Sequence, residues 1–265
     1  MILAVIACRN EEEYLGNCLR HLVSQGISLA IIDNASSDGT KEMLARPDIK
    51  AALVHYEIFP WDGTYRWLPI LQRKVAIAES LKPEWVIHCD ADEIMHSTRS
   101  GESLADAIDR VGKSGADVLN FDEFVMLPLR ENYAKDLTGP QPIRDYYFFE
   151  PTPKRLMRVW RPGRGLSMAE SGGHQITGAT VASESLVLRH YLFRSQQHAY
   201  EKYSTRIFDS SELAGGWHGN RYRQPIERFK FPALDLLKTL ATPDSCEFDK
   251  TDVKKLHYWQ WGSTL

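Results

Sequence analysis

No run of about 18 apolar residues occurs in this 265-residue chain, so the sequence predicts no transmembrane helix. Cysteine is scarce. Cys8, Cys18, Cys89 and Cys246 are scattered, with no pair at metal-binding spacing. That excludes a Cys-rich zinc module and a disulfide framework, and implies free thiols in a reducing compartment. Neither sign of charge dominates: the formal net charge of −3 gives no general electrostatic ground for binding nucleic acid or a membrane surface. No internal repeat and no low-complexity tail is present. The opening Met1-Ile2-Leu3-Ala4-Val5-Ile6-Ala7-Cys8 has no basic leader and runs into Arg9-Asn10-Glu11, so it reads as a first strand and not a signal peptide. A cytoplasmic protein is the expectation. With 43% hydrophobic and 25% charged residues, the chain has the composition of one large or two small globular domains.

What is present is a regular alternation. Ile2 to Ala7 form an apolar run suited to a central parallel strand. Tyr14, Leu15, Cys18, Leu19, Leu22 and Val23 then fall on one helical face, with Gly26 as a stop. Leu29 to Ile32 make a second strand ending at Asp33, and Asp38 or Ser37 is placed to cap a helix around Lys41 to Ala45. Ala52 to Tyr56 read as a third strand, Leu68 to Leu81 as a helix stopped by Pro83, and Trp85 to His88 as a fourth strand. Strands alternating with helices in this way imply βαβ units and a mostly parallel sheet. A short helix from Ser103 to Val111 and a strand from Val118 to Phe121 follow. The rhythm then breaks. Leu127 to Pro153 read as a long loop, Arg155 to Trp160 and Ser185 to Tyr191 as strands, and His198 to Phe208 and Leu234 to Leu240 as helices.

The fourth strand carries the chemistry. Asp90, Asp92 and Glu93 arrive within four positions at its end. Carboxylates at the end of a buried strand need an offset for their lost hydration, and a divalent cation is the usual one. Asp90 and Asp92 sit two apart, so an ideal strand points both the same way. Ligands collect at the carboxyl ends of strands in open α/β sheets, which makes this a candidate metal-phosphate site.

Three strand ends together carry a resemblance. Ala7-Cys8-Arg9-Asn10-Glu11-Glu12, Ile32-Asp33-Asn34-Ala35-Ser36-Ser37-Asp38-Gly39-Thr40 and Cys89-Asp90-Ala91-Asp92-Glu93, in that order, resemble the family-2-like glycosyltransferases of the GT-A fold. The resemblance implies an α/β, Rossmann-like, mostly parallel sheet flanked by helices, with a helical C-terminal extension. It implies a nucleotide-sugar pocket lined by Cys8, Arg9, Asn10, Glu11, Asp33, Asn34, Asp90 and Ala91, with the base on Asp33. The alternative for Asn34, Ser36 and Asp38 is a turn that caps the next helix, and Glu12 and Glu13 suit a solvated first helical turn. Asp90 and Asp92 would hold Mn²⁺ or Mg²⁺ against the diphosphate. Gln72 to Ala78 is similar to a nucleotide-facing helix of the family, which assigns Arg73 to the pocket, although Lys74 and Ala76 depart from the family's Asn and Gly, and a solvent-exposed basic pair explains Arg73 and Lys74 equally well. Leu188 to Ser195 is similar to a His-Tyr strand end of the same group. By that likeness His190 is a third metal ligand, and Arg194 and Lys202 stabilise the leaving diphosphate; the alternative is a half-buried His on an edge strand with solvated Arg and Lys.

An inverting transfer needs a carboxylate base near the acceptor hydroxyl. Glu170, in the glycine-rich Met168 to His174 loop, stands about where the family places its base, though the family's Glu-Asp pair is missing. Asp122 and Glu123, at the end of the Val118–Phe121 strand, are its rivals. His174 is open between acceptor contact, metal ligand and plain loop residue. Most of the clustered aromatic residues suit packing; Trp61 and Trp67 suit a sugar face. The expected division is a catalytic domain over 1–195 and a helical extension over 196–265 on the acceptor side. The partners expected are a nucleotide-sugar donor and a saccharide or lipid-linked acceptor, with peripheral contact to a membrane in the lipid-linked case. Two alternatives are an Asp-x-Asp phosphohydrolase and a non-catalytic nucleotide-sugar-binding protein.

Overall fold

A computed structural model describes residues 1–128, 143–151 and 156–261. In chain order the strands are β1 (Ile2–Cys8), β2 (Ser28–Asp33), β3 (Leu53–Ile58), β4 (Trp85–Cys89), β5 (Glu93–His96), β6 (Val118–Met126), β7 (Asp145–Phe149), β8 (Met157–Trp160), β9 (Leu186–His190) and β10 (Lys238–Thr239). The helices are α1 (Glu12–Ser24), α2 (Thr40–Leu44), α3 (Pro47–Lys50), α4 (Trp67–Leu81), α5 (Leu104–Gly112), α6 (Gln196–Ala199) and α7 (Ser210–Ala214).

The first half follows the pattern read from the residues. β1 and β4 are buried along nearly their whole length and apolar but for His88, as central strands are, and they lie side by side in parallel. α1 buries Leu15, Cys18, Leu19 and Leu22 on one stripe, and Gly26, at φ 79°, turns the chain into β2. α4 stops at Lys82, in a left-handed conformation just ahead of Pro83. Ser103 caps α5 by accepting from Asp106 N at 3.1 Å. The sheet runs β10-β7-β6-β8-β4-β1-β2-β3, with β4-β1-β2-β3 parallel throughout. The register sets Cys8 beside Asp33 and Ile6 beside Cys89, so the carboxyl ends of β1, β2 and β4 finish at one edge.

The second half departs from expectation. β6 does not stop at Phe121 but runs to Met126, because one strand serves two sets of partners. Its first residues pair antiparallel with β8, and its later ones lie between β9 and β7. Asp122 and Glu123 are therefore inside a strand and not at its end. Much of the expected 127–153 loop lies outside the described residues, but Asp145–Phe149 within it is a buried strand. The expected Arg155–Trp160 strand is described only from Leu156.

Less of the C-terminal extension is helical than expected. α6 gives way to a π turn over Tyr200–Ser204, and the helix expected over Leu234–Leu240 is one turn followed by β10, which pairs with β7. Its apolar residues are satisfied by the sheet instead of by a helical stripe. Phe193, Tyr203, Phe229, Tyr258 and Trp259 pack on Val125, Tyr147 and Phe149. The Tyr146–Phe149 and Tyr258–Trp261 aromatic clusters are largely core. Aromatic burial of this kind dominates local packing energy.

Packing between α5 and β4 is close enough to be tested. A Cβ on Gly112 would stand 2.2 Å from Trp85 Cζ2, and that indole is fully buried. Gly112→Ala is expected to destabilise the protein by about 1–3 kcal/mol, as overpacking does, read as a lower denaturant midpoint with unchanged slope.

Candidate active site

The three strand ends form one wall. At the end of β2, buried Asp33 accepts from Ser36 N at 2.8 Å and from the Tyr56 hydroxyl at 3.2 Å. Asn34 donates to the carbonyls of Phe59 and Pro60, which holds the turn after β3 against it. After β1, Arg9 donates to the carbonyls of Asn34 and Ala35 at 2.7 and 2.6 Å and lies over the Trp61 ring at 3.9 Å. Asn10, at φ 54°, accepts from Ser37 N at 2.8 Å. Glu12 is not merely solvated: its carboxylate accepts from Gly39 N at 2.7 Å, and its own N–H donates to Asp38.

At the end of β4, protein cations surround the acids. Asp92 is buried, and burial by itself would raise its carboxyl. Lys202 Nζ stands 2.6 Å from Oδ2 and His190 Nε2 stands 3.6 Å from Oδ1, and together they hold Asp92 ionised, well below the usual carboxylate range. Two unit charges about 4 Å apart gain roughly 4 kcal/mol at an effective dielectric of 20, enough to outweigh partial desolvation. Burial likewise opposes the charge on His190, but Asp92 and Glu123 outweigh it and raise its proton affinity well above the ordinary value. Glu123 Oε1 lies 2.6 Å from His190 Nδ1, so the imidazolium bridges β4 and β6. Arg158 on β8 forms a short ion pair with Glu93, reaches Asp90 at 3.5 Å and donates to Gly173 O at 3.0 Å. Lys74, fully buried on α4, lies 3.6 Å from Asp90, 3.1 Å from Cys89 O and 3.0 Å from His88 Nδ1.

Two adjoining cavities open on this wall. The smaller, about 140 Å³, is lined by Glu11, Tyr65, Asp90, Asp92, Lys202 and Arg206 among others. The larger, about 380 Å³, is bounded by Asp122, Glu123, Trp217, Asn220 and His257 among others. Trp67, Arg158, Gly172, His174, His190 and Arg221 line both. Burial raises the Glu11 carboxyl, with Lys202 opposing and Asp92 adding to the rise.

The model of glycosyl transferase family 2 matches residues 3–159, more than half of the chain. The chain belongs to that family. A lipopolysaccharide core biosynthesis glycosyltransferase, LpsC of Rhizobium meliloti (strain 1021), is 31% identical over 90 residues, 34% of this chain and 31% of that protein. The alignment thus spans less than a third of that relative's length. Among solved structures, S. aureus TarS 1–349 in complex with UDP aligns with a TM-score of 0.45 at 13% identity, covering 76% of this chain and 62% of that one. The mannosyltransferase PcManGT from Pyrobaculum calidifontis, in complex with GDP-Man and Mn²⁺, aligns at 0.45 and 16%, with the same coverage.

In this family-2 member the expected site residues divide. Glu11, Asp90, Ala91, Asp92, His190 and Lys202 share the smaller cavity. Arg73 does not join them: its guanidinium makes a two-pronged ion pair with Glu57 at 2.6 Å on the solvent side, and the same helix turns Lys74 inward instead. Arg194 is paired with Glu13 and is absent from both cavity walls. Glu170, on the Ala169–Ser171 turn, is exposed and lines neither cavity, whereas Asp122 faces the larger cavity with Lys250 at 2.6 Å. The loop contributes Gly172 and His174 in its place. Lys74, Arg158 and Arg206 escaped the sequence reading. Lys74 adjoins the expected Arg73 and is marked by its departure from the family's Asn, whereas nothing in their local sequence marks the other two.

The fit of a divalent cation can be judged from the donor set. Two carboxylates and an imidazole suit Mn²⁺ or Mg²⁺ in chemistry. As they stand, however, Asp90, Asp92 and His190 are not a formed metal set, and among the described residues no three His, Cys, Asp or Glu groups converge on such a site. Lys202 takes the face of Asp92 that a cation would need. A cation therefore fits only once Lys202 moves from Asp92 onto an incoming anion.

His198 provides a pH test of the segment that carries Lys202. Burial, aided by Lys202 and Arg194, lowers His198 to about 3, and its Nδ1 accepts from Arg194 N at 3.2 Å. The unfolded chain binds a proton near the ordinary value, about 6.5, that the folded state refuses. This contribution to stability is complete above about pH 6.5 and is lost as pH falls toward 3. Denaturant unfolding between pH 6.5 and 4.5 is expected to show the wild type losing up to about 1.4 kcal/mol per pH unit relative to His198→Asn.

Proposed function

We propose that the chain moves a sugar from a nucleoside-diphosphate sugar, UDP-linked, to an acceptor hydroxyl, with inversion. The observation that carries this reading is the meeting of Asp33, the Asp90–Asp92 pair and the cations Lys202 and Arg206 along one sheet edge. Each of the last four lines the smaller cavity. Asp33 is fully buried beneath Tyr56 and lines neither cavity, so it meets the base only once the Tyr56 hydroxyl gives up its place, and Arg9, stacked on Trp61, offers further donors beside it. Glu11 and Asp90 face the sugar-phosphate end.

In the reaction, the leaving diphosphate draws Lys202 from Asp92 and takes Arg206 as a second partner, which stabilises the charge that grows as the glycosidic bond breaks. Arg206 lies over the Tyr65 ring at 4.6 Å, and among the described residues it makes no ion pair. Asp90, Asp92 and, once its Nε2 proton is given up, His190 would hold a divalent cation, which supplies Lewis-acid assistance to the same leaving group. Asp122 removes the acceptor proton from the larger cavity, after Lys250, half exposed, releases its carboxylate. Residues 1–195 hold the donor in this scheme, and 196–265 bring Lys202 and Arg206 to it and shape the acceptor side. Four free thiols, two of them with sulfurs 3.7 Å apart and unbonded, support a cytoplasmic setting.

Two measurements test the scheme. UDP with Mn²⁺ should raise the melting temperature more than either does alone; at a hundredfold excess over Kd, ligand binding adds about 2.7 kcal/mol. A panel of nucleoside diphosphates with Mn²⁺ or Mg²⁺ that gives no shift would refute the donor site. Asp122→Asn should cut transfer by about 10²–10⁴-fold while the nucleotide shift persists; full transfer in that variant would remove Asp122 from the role of base.

A further inference from the structure

The larger cavity is lined by two arginines that the scheme above does not use, Arg158, which is paired with Glu93, and Arg221. Arg221 lines both cavities and lies over the Tyr203 ring at 4.3 Å. Its Nη2 is 3.0 Å from His218 Nδ1. A guanidinium only donates, so Nδ1 accepts and the imidazole proton sits on Nε2. That nitrogen faces Glu212 Oε2 at 3.3 Å, and Glu212 Oε1 accepts from Leu68 N at 2.7 Å. Burial keeps His218 neutral, as this arrangement requires, with Glu212 opposing. His218 holds a left-handed backbone at φ 63°, a conformation a non-glycine residue keeps only where its surroundings impose it.

Charge bookkeeping around the cavity singles out Arg221. The wall carboxylates each have a cation: Asp122 has Lys250, Glu123 has His190, and Glu150 has Lys255 at 3.7 Å. Arg158 has Glu93. Among the described residues Arg221 has no carboxylate, and its buried Nε has no hydrogen-bond partner. Arg221 is half-buried, and the one carboxylate linked to it, Glu212, lies across the neutral His218 ring, so its guanidinium is open to an anion from outside. Lys202 and Arg206 line only the smaller cavity, whereas Arg221 also reaches the larger one, beside Trp217 and Asn220.

We propose that the acceptor is an anionic saccharide whose carboxylate or phosphate is held by Arg221, which the Glu212–His218 pair and the Tyr203 ring position. The proposal rests on the acceptor side of the reading above. The planar fork suits either anion, with two parallel N–H donors to two oxygens.

The test measures binding of methyl glucoside, methyl glucuronide and glucose 6-phosphate by calorimetry, with excess UDP and Mn²⁺ filling the donor end. At least tenfold tighter binding of one anionic sugar than of the neutral one is expected, and which one distinguishes carboxylate from phosphate. Arg221→Gln should erase the preference to within about twofold, because the charged hydrogen bonds to the anion are lost, and Arg223→Gln, an exposed arginine outside both cavities, should leave it intact. Equal wild-type binding of neutral and anionic sugars overturns the proposal, and so does a preference that survives Arg221→Gln or disappears in Arg223→Gln. If Arg221→Gln does not fold, Arg221→Lys, which keeps the charge and loses the planar fork, takes its place: the preference should fall at least threefold, and an unchanged preference overturns the proposal. A preference for the anion without any UDP shift would defeat the donor reading and leave the anion site standing; the reverse pattern would do the opposite.

Discussion

Compensation of buried carboxylates at the end of β4 is the constraint on which the rest of the structure depends. Asp92 and Glu93 are buried and Asp90 is partly so, yet no two of their cations come from one element. Lys74 comes from α4, Arg158 from β8, His190 from β9 and Lys202 from the π turn after α6. An uncompensated buried charge costs several kcal/mol, so the acids draw four distant segments to one point. The same contacts that close the fold thus build the site.

That arrangement also explains why the antiparallel half exists. A parallel sheet of four strands supplies the edge at which a ligand collects, but offers only one wall. β8 and β9 deliver Arg158 and His190 across from β4, and β6 passes Asp122 and Glu123 along the opposite side. Packing of Phe193, Tyr203 and Trp259 against β6 and β7 then fixes the segment that carries Lys202 and Arg206. Rigid aromatic packing, rather than helix propensity, holds these residues in place.

Most of the N-terminal half was legible in the residues, because each element there is local. An apolar run, a helical stripe and a Gly or Pro stop are decided within about a dozen residues. The acids at the strand ends were legible for the same reason. Arg73 and Lys74 show where this fails: both are cations on one helix, and only the rotation of α4 against β4 decides which one meets Asp90. Glu170 failed differently, since its loop turns Gly172 and His174 to the cavity and leaves the carboxylate in solvent.

By itself the sequence determined the βαβ order, the parallel core and the three acidic strand ends, since side-chain period and turn chemistry act over short range. Tertiary structure decided which charges meet. That Asp92 would face Lys202, 110 positions away, and that Glu123 and Asp92 would share one imidazolium, depends on strand pairings far apart in the chain. Charge pairing is set by distance and desolvation after the elements pack, and neither quantity is encoded in the local residue pattern.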